Sequence, residues 1–256
     1  MMKCRVAFIL CVAALSLAAC CNQAVKPEPK VAEMKAEAIS ATAAPANDTA
    51  FSATIDAASK QCATSLADCP DEGCGGGTMR DPLTNAQKNR TTVPNDPVEL
   101  TVGQFKQQFK ELTDIGKKRV NLSTQDQRTL ETDEAIAVQV DGFVLDDTPE
   151  EPESCACYID GATDYHIWLA STRTAKKPAA IVVEITPRIF DTQSKAVVDV
   201  MKRLQKDQVH VRVVGWPMFD PLHPEQLGKT RFTRWEVHPV VDIQEKVNGA
   251  WQSVFP

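Results

Sequence analysis

The fold is decided where the sequence reads Ala135-Ile-Ala-Val-Gln-Val-Asp-Gly-Phe-Val-Leu145. Apolar and polar residues alternate along most of this stretch, which is the period of a β-strand with one buried face. Gly142 interrupts the alternation, and we expect a β-bulge there. The residues before it have loop or helix patterns, so the β-rich part of the chain begins here.

Four more strands and one helix are predicted beyond this stretch. The strands cover residues 164–169, 180–186, 209–215 and 234–243, and the helix covers residues 194–206. Three strands, a helix and two strands, with a glycine inside the first strand, resemble the oligonucleotide/oligosaccharide-binding (OB) fold, a five-stranded, partly open Greek-key barrel. The resemblance is topological and spans roughly residues 135–246.

The predicted fold class is therefore α+β and mostly β. It comprises a five-stranded Greek-key (OB-like) barrel with one inserted helix and a disulfide-stapled N-terminal cap. A different small β-rich α+β domain is the alternative.

The N-terminus has the parts of a secretory signal peptide: a short basic start and an apolar run over residues 6–17 that is too short to span a bilayer permanently. Leu17-Ala-Ala-Cys20 then resembles the lipobox of bacterial lipoproteins. The resemblance implies cleavage after residue 19, acyl chains such as palmitate on Cys20, and attachment to the membrane of the cell envelope through that lipid. Cys21 at the next position favours the outer membrane.

Four segments follow from these patterns. Residues 1–19 form the lipoprotein signal peptide, and residues 20–60 carry the lipidated cysteine and a disordered tether rich in Ala, Pro, Lys and Glu. Residues 61–134 form a Cys- and Gly-rich cap with a helix at residues 101–112. Residues 135–256 form the OB-like barrel domain.

Disulfides are expected to tie the cap to the barrel, because they persist in the oxidising compartment that the lipobox implies. The candidate cysteines, two from the cap and two from the loop after the first predicted strand, are Cys69, Cys74, Cys155 and Cys157. The spacing does not decide which cap cysteine meets which loop cysteine. Cys62 is left to pair with Cys21 or to stay free. A Cys₄ zinc site is the alternative, although the chain contains no C-x₂-C pair.

Strand alternation predicts which polar side chains leave the barrel. The ligand surface of an OB fold is the outer face of its second and third strands, flanked by the loops between strands one and two and between strands four and five. Because the third strand neighbours both the second and the fifth, we expect four outward side chains to converge: His166, Glu184, Glu236 and His238. Such a set could bind Zn²⁺ or another divalent metal, or perform acid–base hydrolysis. Cross-strand polar pairs on a solvated sheet face, with each histidine bonded to a carboxylate, are the alternative.

Further candidate ligand contacts surround this face: Trp168, Arg188, His223, Lys229 and Arg231. Basic side chains near indole rings are typical of sites where bases or sugars stack, although such a cluster also simply solvates a loop. Gly228-Lys229-Thr230 is not a phosphate-binding loop, because His223 stands where that motif has glycine and a strand follows instead of a helix.

Composition limits the partners and the chemistry. The net charge of −6 at pH 7 argues against a protein built to bind nucleic-acid phosphates, and no serine lies in a Gly-x-Ser-x-Gly setting. We therefore expect an outer-membrane lipoprotein with a non-catalytic binding or interaction role for an unknown envelope ligand or protein, and no resident metal or cofactor.

Two other functions remain open. One is a metal-dependent, nuclease-like hydrolase that uses the four His and Glu residues with Zn²⁺ or another divalent metal. The other is a structural lipoprotein whose barrel packs against a partner protein. If the four side chains lie within metal-bonding reach of one another, the hydrolase gains support, whereas dispersed side chains favour the binding role.

Overall fold

The computed structural model describes residues 62–75, 80–112 and 118–255. The predicted signal peptide, the lipidation site and the tether all lie outside the described residues. The described helices are α1 (Pro82–Lys88), α2 (Val102–Gln108), α3 (Thr124–Glu134) and α4 (Lys195–Lys206). The described strands are β1 (Val98–Thr101), β2 (Val138–Pro149), β3 (Tyr165–Ala170), β4 (Ile181–Ile185), β5 (His210–Phe219), β6 (Trp235–Val247) and β7 (Ala250–Ser253). None of the described helices is long and apolar enough to cross a membrane.

Five strands close a barrel in the order β2, β3, β4, β6, β5 and back to β2. Every neighbouring pair is antiparallel except β4 and β6, which run parallel. The helix α4 lies in sequence between β4 and β5. The predicted five-stranded Greek-key barrel with one inserted helix is therefore confirmed. The strands β1 and β7, which the sequence analysis missed, pair with β2 and β6 outside this closed circuit.

The barrel interior is filled by the alternate residues of its strands, as the period of two requires. Ile167 and Leu169 of β3 point into the main apolar core, whereas Trp168 lies in a separate small cluster on the other face. Apolar residues of α2 and α4, including Phe105 and Met201, complete the core. The inward-facing residues of the barrel thus form one apolar core.

The bulge expected at Gly142 is wrong. Gly142 pairs in regular register with Val211 of β5, and the irregularity of β2 falls between Val144 and Asp146. Gly142 is instead a point of close approach, because a Cβ atom there would lie 2.7 Å from Leu169 Cγ.

The helices begin at side chains that accept hydrogen bonds from free backbone N–H groups. Thr101 and Gln104 form a capping box at the start of α2, and Ser194 caps α4. The helix predicted over residues 101–112 stops earlier, at Gln108. The helices α1 and α3, capped by Asp81 and Ser123, were not predicted.

The cap is joined to the barrel by a disulfide and by buried hydrogen bonds. Cys69 pairs with Cys157, as a cap-to-barrel staple requires, but Cys74 pairs with Cys62 inside the cap and Cys155 is a buried free thiol. The prediction of a second disulfide between the cap and the barrel is therefore wrong. Asn89 of the cap also donates to the Cys155 carbonyl oxygen at 2.9 Å.

Candidate functional site

The four polar residues predicted to converge do lie together, and the strand register explains why. His166 of β3 stands directly opposite Glu184 of β4, and the parallel neighbour β6 contributes Glu236 and His238. Side chains directly opposite each other on one sheet face lie close enough to interact. The convergence therefore follows from alternation and strand order together.

His166 connects two carboxylates. Its Nε2 makes a short contact with Glu184 Oε1, and its Nδ1 lies 3.0 Å from Oε1 of Glu150, the first residue of the loop that leaves β2. Glu184 is buried, whereas the Glu150 side chain is 30% exposed. His166 thus links the interior of the site to its edge.

His238 also lies between carboxylates, deeper in the protein. Its Nδ1 lies 2.8 Å from Glu184 Oε2 and 3.8 Å from Glu236 Oε2, and its Nε2 lies 3.5 Å from Asp164 Oδ2. Asp164 immediately precedes β3 and was not among the predicted site residues, although the alternation of the predicted strand 164–169 places it on the same face as His166. We call His166, His238, Glu184, Glu236 and Asp164 the buried cluster.

The buried cluster does not lie on a solvated sheet face. His238, Glu184 and Glu236 are at most 2% exposed. The helix α1 of the cap packs over β6, and the loop between β2 and β3 contributes Cys155 and Asp164. The alternative of polar pairs on a solvated sheet face is therefore wrong about the solvent, because the cap covers this face.

The surrounding charges set the ionisation of the buried cluster. Burial alone would lower the pKa of His238, but the Glu184 and Asp164 carboxylates raise it to about 9. Burial opposes a charged Glu184, yet His166 and His238 hold the pKa of that carboxyl well below its usual value. Burial raises the pKa of Asp164 to about 6, which the neighbouring His238 only partly offsets. The cluster is a network in which each imidazole is favoured in its cationic form.

A cleft of about 250 Å³ opens beside the buried cluster. Its lining comes from α1, from the loop between β2 and β3, and from the loop between β5 and β6: Thr84, Asn85, Lys88, Glu150, Glu151, Pro152, Glu153, Ser154, Tyr158, Asp220, Leu222 and His223. The two barrel loops are those predicted to flank the ligand surface. The cap supplies the third wall, which the sequence did not indicate.

Two basic side chains of the cleft wall are paired with carboxylates. Lys88 Nζ lies 2.6 Å from Glu153 Oε2, and the carboxylates around Lys88 raise its pKa against the effect of burial. His223 Nδ1 lies 2.7 Å from Asp220 Oδ2. Both pairs are present in the structure without a bound ligand.

The other candidate ligand contacts have different surroundings. Trp168 donates through Nε1 to the Thr230 carbonyl oxygen at 2.7 Å and is only 8% exposed. Arg188 donates to the carbonyl oxygen of Cys69 at 2.9 Å and so holds the cap. Lys229 is exposed on the loop between β5 and β6.

Arg231 is fully buried and makes a short contact with Glu236 while lying 3.2 Å from Asp220 Oδ2. Of the five candidates, His223 is the one that lines the cleft.

Cys155 lies beneath the cleft, next to the buried cluster. Its Sγ is 3.7 Å from Glu153 Oε2 and 3.9 Å from Asp164 Oδ2. Burial, followed by the charge of Asp164, raises the pKa of this thiol well above its usual value. A thiol held in its neutral form in this way is a poor nucleophile.

The arrangement can bind a small molecule in the cleft, hold a cation among the buried carboxylates, or transfer protons along the alternating imidazoles and carboxylates. No protein-family model, no curated protein and no solved structure matches this chain.

Proposed function

We propose that this chain is an outer-membrane lipoprotein whose barrel domain is a non-catalytic binding module, with the cleft as its ligand site. The observation that carries the binding role is the position of the cleft, which lies between the cap and the two barrel loops that flank the ligand surface of an OB fold. The closed strand order of the barrel supports the likeness to that fold. The envelope address is supported by the lipobox Leu17-Ala-Ala-Cys20.

The chemistry of the cleft favours a small, polar ligand. A volume of about 250 Å³ is near the lower end of the range of small-molecule sites. Apolar surface from Leu222 and Pro152 lies beside the paired charges of Lys88 and Glu153. Such a mixture of apolar surface and a few fixed polar groups is typical of a specific small-molecule site.

The anchor is tested by Cys20→Ala. Because the thiol of Cys20 would carry the lipid, we expect the variant to leave the membrane fraction and to lose incorporation of labelled palmitate. Cys21→Ala is the matched control and should remain lipidated. A Cys20→Ala protein that still fractionates with the membrane would contradict the anchor.

The cleft is tested by filling it. Free amino acids, monosaccharides and polyamines are screened by thermal shift against the full chain in detergent, since a ligand that binds only the folded state raises its melting temperature. We expect at least one class to stabilise the wild type and Leu227→Trp, but not Leu222→Trp. Leu222 lines the cleft, whereas Leu227 is exposed on the same loop. A screen without any shift, or a shift that survives in Leu222→Trp, contradicts the proposal.

A metal-dependent hydrolase is the second candidate, and one observation favours it: His166, Glu184, Glu236 and His238 do converge. Burial counts against it. Three of the four side chains are at most 2% exposed, so a substrate cannot reach them without movement of the cap. Hydrolysis of a phosphodiester that requires added divalent metal and disappears in Glu184→Gln would reverse this preference.

A further inference from the structure

Several buried polar atoms of the cluster face one another without forming hydrogen bonds. Among the described residues, Asp164 Oδ1, Glu184 Oε2 and both ring nitrogens of His238 have no hydrogen-bond partner. His238 Nδ1 and Glu184 Oε2 are only 2.8 Å apart, yet this contact lacks the alignment of a hydrogen bond. Buried polar atoms in folded proteins are almost always satisfied, so this group requires an explanation.

Three residues of the buried cluster offer ligand atoms close enough together to hold one ion. One ligand atom each from Asp164, Glu184 and His238 lies within 4.8 Å of the other two, and all three residues are at most 4% exposed. Two ligands of one metal ion, each about 2.1 Å from it, lie roughly 3–4 Å apart. The 2.8 Å between His238 Nδ1 and Glu184 Oε2 is close to that value, whereas the 3.5 Å contact of Asp164 Oδ2 is made to the other ring nitrogen, Nε2.

The charge of the surroundings also calls for a cation. Six carboxylates are connected through the buried cluster and the cleft wall: Glu150, Glu153, Asp164, Glu184, Asp220 and Glu236. The permanent cations among their partners are Lys88 and Arg231. Buried carboxylates are tolerated when they are paired or coordinate a metal. Protonated histidines or a divalent ion must therefore supply the remaining positive charge.

We propose that Asp164, Glu184 and His238 bind a divalent transition-metal ion, with Zn²⁺ or Mn²⁺ as the matching class. An imidazole nitrogen with two carboxylate oxygens suits these ions. His166, which holds the other oxygen of Glu184, would orient that ligand, as outer partners of metal sites commonly do. The site differs from the four-residue set expected from the sequence, because Asp164 is a ligand and Glu236 instead pairs with Arg231.

This inference does not rest on the proposed cleft ligand. The metal ligands lie in the interior, whereas the cleft is tested with organic compounds at Leu222. Either proposal can fail while the other holds.

The test uses the full chain purified in detergent, stripped with a chelator and titrated with Zn²⁺ or Mn²⁺ alone by calorimetry. We expect one equivalent to bind, and Asp164→Asn and Glu184→Gln each to weaken the affinity at least about 100-fold. His166→Gln should weaken it about 10-fold, the scale of an outer partner. His210→Gln is the matched control, because that imidazole stacks on Phe143, 4.8 Å away, and contacts none of the cluster.

A second readout protects the test against misfolded variants. The bound ion should raise the melting temperature of the wild type in proportion to the logarithm of its concentration. Circular dichroism should show that Asp164→Asn is folded and that its melting temperature does not respond to the ion. A wild type that binds neither ion, or an affinity that Asp164→Asn and Glu184→Gln leave unchanged, overturns the site.

Discussion

Arg231 illustrates how a single buried residue organises the site. Its guanidinium is 0% exposed and lies between Glu236 and Asp220, while Gln226 accepts hydrogen bonds from its Nε and Nη2 atoms. From the sequence it is a candidate ligand contact. Its burial and its partners make it a structural link between β6 and the loop that lines the cleft.

Replacing Arg231 by Met should therefore destabilise the protein strongly. The change removes the cation of buried Glu236 and leaves Asp220 with His223 alone, and breaking a buried pair costs about 3–5 kcal/mol. Urea unfolding followed by circular dichroism measures the loss. Lys229→Met is the control, because this exposed residue of the same loop should change stability by no more than about 0.5 kcal/mol. Equal effects of the two substitutions would contradict the structural role of Arg231.

His223 should make stability depend on pH. Its contact with Asp220 raises its pKa above the usual value, against partial burial and the nearby Arg231, while Glu236 adds a smaller attraction. A raised pKa in the folded state means that the contribution is complete below about pH 6.5. It is lost as the pH rises through the folded-state value.

The measurement compares the unfolding free energies of the wild type and His223→Gln over a range of pH. The difference should be largest below about pH 6.5 and should shrink at alkaline pH. His223 and Arg231 lower the pKa of the Asp220 carboxyl to about 2, although burial opposes this. The contribution of Asp220 to the free energy of unfolding therefore disappears only in strong acid. A difference that is constant from pH 5 to pH 10 would exclude the imidazolium as its source.

At the scale of the element, β2 depends on close contact rather than on a bulge. A Cβ atom at Gly142 would lie 2.7 Å from Leu169 Cγ and 2.9 Å from the Ala170 carbonyl oxygen. Gly142→Ala should therefore cost about 1–3 kcal/mol, the usual effect of overpacking. Gly103→Ala in α2 is the control, since a Cβ atom there would meet nothing nearer than 3.9 Å. This substitution should stabilise the helix by about 0.5–1 kcal/mol. If thermal unfolding showed that both substitutions change the melting temperature in the same direction, the steric explanation would be contradicted.

The alternation of β6 also shows where local patterns stop being informative. Glu236 and His238 lie on the polar face as predicted, and Trp235 and Val237 lie in the core. Beyond them Val240 rather than Val241 enters the core, because the pairing with β5 shifts register around Gly215. A period of two is reliable only within one regular stretch of ladder.

At the scale of the whole molecule, the two disulfides should differ in their effect on stability. Cys69–Cys157 closes a loop of 88 residues between the cap and the barrel, whereas Cys62–Cys74 closes one of 12 within the cap. The loop-entropy model gives about 5 and about 3 kcal/mol for loops of these lengths. The double variant Cys69→Ala with Cys157→Ala should therefore unfold at a lower urea concentration than the double variant Cys62→Ala with Cys74→Ala.

Peptide mapping without reductant should show these two links and a thiol at Cys155 that alkylates only after unfolding. A disulfide at Cys155 would contradict the assignment.

The sequence by itself determined the class of fold and part of the site. Alternating apolar residues mark five strands in an order that closes one barrel, and the same alternation places His166, Glu184, Glu236 and His238 on one face. Both results depend on a local period of two, which can be read along the chain, and on the strand neighbours that the resemblance to the OB fold implies.

The surroundings of that face depend on how distant parts of the chain pack together. The tertiary structure brought Asp164 into the buried cluster, buried Arg231 between two carboxylates, covered the face with α1 and left Cys155 free. Apart from Asp164, which the alternation of residues 164–169 places on the same face as His166, these features depend on where loops and the cap run in space, and strand periodicity does not report on that. Which sulfur reaches which, and which carboxylate meets which imidazole, is settled by distances between residues that are remote in sequence.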